Sequence, residues 1–248
     1  MWIDSHCHLA EIGLRDLKQY ESMMQRAKEK GVGRFLSVAL SRQEYTFLLW
    51  RKQKGEAIDI AIGIHPLTEL CRWTFTEIAE LAKNSAVSAI GEIGLDYHQN
   101  PDKERQLDLY RRQILLALQV HKPIVVHCRK ADGTNVAILK ELHPRALLHA
   151  YGGSYESAKE LQKEAVYFSF GRILAKEKAY KRRQVMKKIS LDRLLIESDA
   201  PYGSEENNDV SRVADTAALL AQQRGISLEE WAEQSQKNYD HFLRGGIE

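Results

Sequence analysis

Trp2-Ile3-Asp4-Ser5-His6-Cys7-His8 is the stretch from which the fold can be read. It is a β-prone run that ends on two imidazoles. Successive side chains of a strand point to opposite faces, so His6 and His8 share one side while Cys7 faces away. The same pattern recurs down the chain. Glu92 closes Val87-Ser88-Ala89-Ile90-Gly91-Glu92-Ile93, His127 closes Pro123-Ile124-Val125-Val126-His127 and His149 closes Ala146-Leu147-Leu148-His149. Asp199 closes Leu194-Leu195-Ile196-Glu197-Ser198-Asp199. Further apolar β-rich runs at 34–40, 58–64 and 165–170 bring the predicted strands to eight.

Between the strands the pattern turns helical, over 16–30, 43–54, 75–83, 104–121, 134–142, 155–164, 177–189 and 209–224. Gly31 suits a left-handed C-cap, and Ser41…Glu44, Thr74…Glu77 and Ser227…Glu230 are capping signals. Eight strand–helix repeats predict an α/β fold, a closed (β/α)8 TIM barrel. An extra C-terminal helix, 228–242, follows the break at Gly225. No linker or shift of composition divides residues 1–248, so one domain is expected. A net charge of +2, with 28% charged residues, gives no field that would announce a polyanion or a membrane. Three cysteines without a C-x-x-C pair point to a reducing compartment. No apolar run approaches the roughly 20 residues of a membrane span. A soluble cytoplasmic protein without membrane association is expected, and a monomer is compatible with it.

A TIM barrel builds its active site at the C-terminal ends of its strands. His6, His8, Glu92, His127, His149 and Asp199 all fall there, and together they are a sufficient ligand set for two divalent metal ions. A metal pair at that position makes a hydrolase. Alternation also puts Asp4 one layer below His6, and Glu197 below Asp199, where buried carboxylates suit partners that orient metal-bound imidazoles. Cys128, beside His127, is expected to face outward. Imidazole-rich sites favour zinc or manganese, whereas magnesium prefers oxygen ligands.

These residues resemble the TatD family of metal-dependent hydrolases. The resemblance is carried in order by His6-Cys7-His8-Leu9, Ile62-Gly63-Ile64-His65-Pro66, Gly91-Glu92-Ile93-Gly94-Leu95-Asp96-Tyr97, Pro123-Ile124-Val125-Val126-His127-Cys128-Arg129, Glu197-Ser198-Asp199-Ala200-Pro201-Tyr202 and Asn238-Tyr239-Asp240-His241-Phe242. It implies an amidohydrolase-like TIM barrel, a divalent metal pair, often magnesium, and deoxyribonuclease activity, commonly 3′→5′ on single-stranded DNA. Carried over position by position, the six residues above would be the ligands, with Glu92 bridging. The chain also departs from the family pattern. Ala10 and Lys130 stand where acidic residues are usual, and His149-Ala150-Tyr151-Gly152-Gly153-Ser154 replaces a common His-x-Phe-Ser-Gly. The loop after the last strand is short, Gly203-Ser204-Glu205-Glu206-Asn207-Asn208, and carries two acids.

Phosphodiester hydrolysis needs a nucleophile at neutral pH and charge neutralisation at phosphorus, which two metals about 3.5–4 Å apart supply by activating a water. Asp199 would be the general base, with Glu92 and His65 as further catalytic groups. His65 would hydrogen-bond the phosphate, or else pack ahead of Pro66. Arg129 would bind phosphate bidentately, or pair with a loop carboxylate. Arg172 and Lys176, in the loop after the seventh strand, are placed to meet a polyanion, whereas the other basic residues of 172–188 fit a solvated helix face. Tyr97, Tyr151 and Tyr202 are candidate base platforms, or packing residues. DNA is the expected substrate. Two other classes fit the same residues: an amidohydrolase-type enzyme acting on a small ester, lactone or amide, and a nucleic-acid-binding subunit of a larger complex. Glu92 stands where many such barrels place a carboxylated lysine, which disfavours the former.

Overall fold

The computed structural model describes residues 1–67, 71–99, 102–203 and 208–245. Eight strands form one sheet in chain order: β1 Trp2–Cys7, β2 Val32–Ala39, β3 Ile58–Ile62, β4 Val87–Asp96, β5 Ile124–Arg129, β6 Ala146–Leu148, β7 Val166–Phe170 and β8 Leu194–Ile196. Every laddered pair is parallel. Around them lie α1 Leu9–Arg15, α2 Leu17–Glu29, α3 Arg42–Gln53, α4 Phe75–Leu81, α5 Lys103–Gln119, α6 Asp132–Leu142, α7 Tyr155–Leu161, α8 Tyr180–Lys188, α9 Val213–Arg224 and α10 Leu228–Arg244. The protein is a (β/α)8 TIM barrel with an added C-terminal helix. Among the described residues no helix is long and apolar enough to cross a membrane.

Local chemistry sets the element ends. Ser41, Thr74 and Ser227 each accept a hydrogen bond from the backbone N–H three residues on, at the starts of α3, α4 and α10. Each such cap contributes about 1 kcal/mol. Gly31, just past α2, has φ +73°. The strands are buried on both faces, as a parallel sheet between helices and a filled interior requires. The interior is filled by Ile3, Leu36, Val38, Ala61, Ala89, Val125, Leu147, Tyr167 and Leu195. Tyr239 and Phe242 of α10 join this cluster, so the added helix seals one end of the barrel.

Two strands break their alternation, and both breaks re-aim site residues. On β1 the register to β2 shifts between Asp4 and Cys7. Ile3 belongs to the interior cluster, while Cys7 packs in the outer core. Asp4 therefore does not support the His6 ring as strict alternation would have it. Its carboxylate accepts from the Ser198 N–H at 3.0 Å and from the Ser198 hydroxyl at 2.6 Å. On β4 the register shifts between Ile90 and Ile93, so Ala89 and Glu92 both reach inward although three residues apart. Glu92 also lies within β4, which continues to Asp96, and does not end a strand. Such shifts are a recurrent means of re-aiming a side chain beside a site.

No ladder joins β8 to β1. Instead the Asp199 N–H donates to the His6 carbonyl (3.0 Å), the His8 N–H to the Ala200 carbonyl (2.7 Å) and the Ser5 hydroxyl to the Ile196 carbonyl (2.9 Å). With the Asp4–Ser198 pair, these bonds stitch the seam.

Candidate metal centre

His6 is on β1 and His8 immediately follows it, Glu92 is in β4, His127 in β5, and His149 and Asp199 come just after β6 and β8. His65 follows β3. The structure brings all seven to one rim of the barrel; His6, His8, His65 and Glu92 are buried and His127, His149 and Asp199 partly so. The chain bends sharply to deliver several of them. Asp199 has φ +56°, and Ala150 and Lys130, beside His149 and near His127, have φ +45° and +58°. A left-handed non-glycine residue costs roughly 1–2 kcal/mol, which the surrounding packing must outweigh. Gly94 has φ +141°, and a Cβ there would collide with the His127 carbonyl oxygen. Glycine at this position lets β4 press against β5 next to Glu92.

Glu92 divides its two oxygens between two groups of imidazoles. Oε2 lies 3.5 Å from His6 Nε2 and 3.7 Å from His8 Nε2. Asp199 Oδ1 approaches the same two nitrogens at 3.5 and 3.7 Å. Oε1 lies 2.8 Å from His149 Nε2, 2.9 Å from His127 Nδ1 and 3.3 Å from His65 Nε2. Within three sets of these residues the donor atoms fall inside 4.8 Å of one another: His6, His149 and Asp199; His6, His8 and Glu92; His65, Glu92 and His127.

The donor set fits divalent cations. His6 is fully buried, and neither of its ring nitrogens has a hydrogen-bond partner; His149 Nδ1 is likewise unpartnered. A buried polar atom without a partner is costly. Nε2 of His6 faces two carboxylate oxygens, the arrangement a cation between them would satisfy. The charges are consistent with this. Burial pushes the His6 imidazole down, and burial with the nearby His6 pushes His8 down to about 4, so both offer lone pairs. Burial alone would raise Glu92, but the charges of His149, His65 and His6 outweigh it and hold the carboxyl well below its usual range. Burial is likewise outweighed at His149, which Glu92 lifts to about 10, and at His127, raised by its bonds to Asp96 and Glu92.

Two supporting carboxylates stand behind the imidazoles. Asp96 Oδ2 lies 3.0 Å from His127 Nε2 and fixes that ring. Sequence reading missed it, although Glu92, Gly94 and Asp96 are spaced to share a strand face. Glu197 Oε1 lies 3.9 Å from His149 Nδ1, and Glu197 also accepts from the Ser169 hydroxyl. His65 Nδ1 accepts the Leu67 N–H at 3.0 Å, which leaves Nε2 carrying the hydrogen toward Glu92.

The expected substrate contacts are placed differently from one another. Arg129 is exposed at the end of β5 and makes no ion pair with a described residue. Tyr97 is partly buried, with the Lys103 ammonium 5.0 Å over its ring. Tyr151 is a core residue and presents no open face: it is 5% exposed, packs edge-on against Phe168 and donates to the Ser154 carbonyl. Arg172 pairs with Asp215 at 3.3 Å while bordering a cavity shared with Asp199. Tyr202 is exposed, stands edge-on to the His8 ring at 4.9 Å and donates to Glu11. Cys128 packs against the outer core, away from the centre. The short loop noted after the last strand lies, at Ser204–Asn207, outside the described residues.

Comparison with known proteins follows the same lines. Residues 3–244 match the family described as TatD related DNase. The chain is 35% identical to the uncharacterized metal-dependent hydrolase YabD of Bacillus subtilis, covering 98% of this chain and 99% of that protein. It is 30% identical, over 75% of its length and 74% of the relative's, to the 3′-5′ ssDNA/RNA exonuclease TatD of Erwinia tasmaniensis. The crystal structure of YJJV, a TatD homologue from Escherichia coli K12, superposes with a TM-score of 0.84 at 26% identity, covering 98% of this chain and 97% of that one.

Proposed function

This chain belongs to the TatD-related DNase family of metal-dependent hydrolases, and we propose that it is a deoxyribonuclease removing nucleotides from the 3′ end of single-stranded DNA. The observation that carries the proposal is Glu92, whose two oxygens serve two imidazole groups beside the unpartnered His6 ring. His6, His8, Glu92 and Asp199 would hold one divalent cation, and Glu92, His127 and His149 a second. Such a pair, when bound, supplies a water activated near neutral pH and neutralisation of charge on a phosphodiester. Four imidazoles favour zinc or manganese over magnesium. The 3′ polarity is supported by the name of the Erwinia relative.

The remaining steps fall to the protein's own groups. Asp199 is kept ionised because the imidazoles around it, His6 foremost, outweigh its burial. It is the acceptor for the proton of the attacking water. His65 presents an Nε2–H at the rim and would donate it to a non-bridging phosphate oxygen. Arg129, exposed and without an ion pair to any described residue, would clamp the phosphate through its planar fork. Tyr202, edge-on to His8, and Tyr97 offer rings on which a base can stack.

The test uses 3′- and 5′-labelled single-stranded DNA with magnesium, manganese or zinc, with EDTA and Asp199→Asn as controls. Stepwise shortening from the 3′ end, abolished by both controls, is expected. Intact DNA in every metal, with metal demonstrably bound, would overturn the nuclease assignment.

A further inference from the structure

Next to the candidate metal centre stands a cation with no ion pair among the described residues. Arg182, in the first turn of α8, is partly buried, yet makes no hydrogen bond or ion pair with any described residue. Burial pushes its guanidinium pKa down, and the charge of Glu197, which is not in ion-pair contact, offsets this only in part. The side chain borders two cavities. The inner one, about 170 Å³, is also walled by Arg172, Glu197 and Asp199. The outer one, about 660 Å³, continues past Gly152 to Lys178 and Lys181.

Its position is built by a neighbouring loop. The guanidinium lies over Gly152, three residues beyond His149, where an added Cβ would come 2.6 Å from Nη2. Gly152 is also one of the positions where this chain leaves the family pattern. Glu197 shares the inner cavity but stays beyond ion-pair range, held by Ser169 and facing His149. Arg172, the other arginine on that cavity, is engaged by Asp215. A partly buried guanidinium with no hydrogen-bonded partner among the described residues, at the junction of two cavities of which one reaches Asp199, suits a planar oxyanion from outside the protein.

We infer that Arg182 is a phosphate-binding residue, holding the phosphodiester next to the reacting one as the strand passes from Asp199 over Gly152 toward Lys178 and Lys181. This rests on the nuclease assignment above and names the path of its substrate. The helix α8, whose basic face the sequence suggested was solvated, thereby gains a residue of the substrate channel.

The test measures binding of a fluorescent phosphorothioate oligothymidylate, which resists hydrolysis, to the manganese-loaded protein across a salt series. Arg182→Ala is expected to weaken binding about ten- to hundredfold, the usual effect of losing a charge-assisted bond. It should also reduce the slope of log affinity against log salt by about 0.7, one phosphate's share on a single strand. Arg182→Lys should recover part of the affinity and the full slope, because it keeps the charge but not the fork. Gly152→Ala, which displaces the guanidinium without removing it, should weaken binding too. Unchanged affinity in Arg182→Ala overturns the inference. So does a loss that leaves the slope intact and that lysine does not rescue, since that is the signature of a structural role. Cleavage of unmodified DNA by the wild-type protein is scored separately, so failure of the nuclease assignment is read independently.

Discussion

Replacing Asp96 with asparagine should impair metal binding far more than the near-identical shape suggests. Three N–H donors converge on the two oxygens of Asp96. Oδ1 accepts from the backbone N–H groups of His98 and Gln99, at 3.0 and 2.9 Å, and Oδ2 from the His127 ring at 3.0 Å. An amide offers one oxygen and one NH2 group, and neither orientation serves all three. If the oxygen stays with the backbone pair, the NH2 group meets His127 Nε2, which must become the acceptor. The ring hydrogen then moves to Nδ1, where it points at Glu92 and removes the lone pair a cation would use. If the oxygen turns to His127, the NH2 confronts two N–H groups, and an unsatisfied donor costs about 1–3 kcal/mol of stability. In the first case metal affinity should fall about ten- to hundredfold, or about 1.4–2.8 kcal/mol. Isothermal titration with zinc or manganese, alongside thermal melting, separates the two orientations. Wild-type affinity together with a wild-type melting temperature would refute the reasoning.

Two further outcomes are expected. Gly94→Ala drives a Cβ into the His127 carbonyl and asks a non-glycine residue to hold φ +141°. It should destabilise the fold by about 3 kcal/mol, and a wild-type urea midpoint would show that β4 and β5 tolerate the addition. The second concerns pH in chelator-treated protein. His8, lowered from 6.5 to about 4, contributes stability that is lost as pH falls from 6.5 toward 4, because the unfolded chain then binds the extra proton. His149, raised from 6.5 to about 10 and facing Glu92, Glu197 and Asp199, contributes stability present below 6.5 and lost as pH climbs toward 10. Glu197, raised to about 7, loses its contribution as pH rises from 4.5 toward 7 and so opposes the His8 trend, which leaves a fall in melting temperature from about pH 7 toward 10 as the expected result. Added metal must displace the His149 proton, so its affinity should rise with pH over the same alkaline range. A melting maximum near pH 9, or metal affinity independent of pH, would contradict this.

The barrel and the gathering of the candidate ligands on one rim were legible because both rest on periodicity: apolar runs of strand length, helical intervals, and titratable residues where the runs stop. Detail was lost where the backbone departs from periodicity. Glu92 sits inside β4, and only the register shift before Ile93 turns it inward, a feature that alternation alone cannot signal. The shift on β1 likewise sent Asp4 to Ser198 and away from the His6 ring. The helix α1 escaped notice because its N-cap, His8, makes no side-chain capping bond and because Gly13 reads as a breaker. That glycine is required by packing, since a Cβ there would strike the Phe47 ring. Tyr151 illustrates the opposite error: an aromatic beside a site residue was committed to the core by Phe168, a contact between elements that no local pattern contains.

The seam between β1 and β8 also orders the protein's own manufacture. His6 and Asp199 share the first cation position, yet nearly the whole barrel is translated between them. A chain still emerging from the ribosome has its opening imidazoles but not their acidic counterpart. The two edges meet only when Asp4 finds Ser198 and the Asp199 amide finds the His6 carbonyl. Loop closure over so long a separation comes late. The chain therefore assembles its candidate metal centre at the same step that closes its barrel.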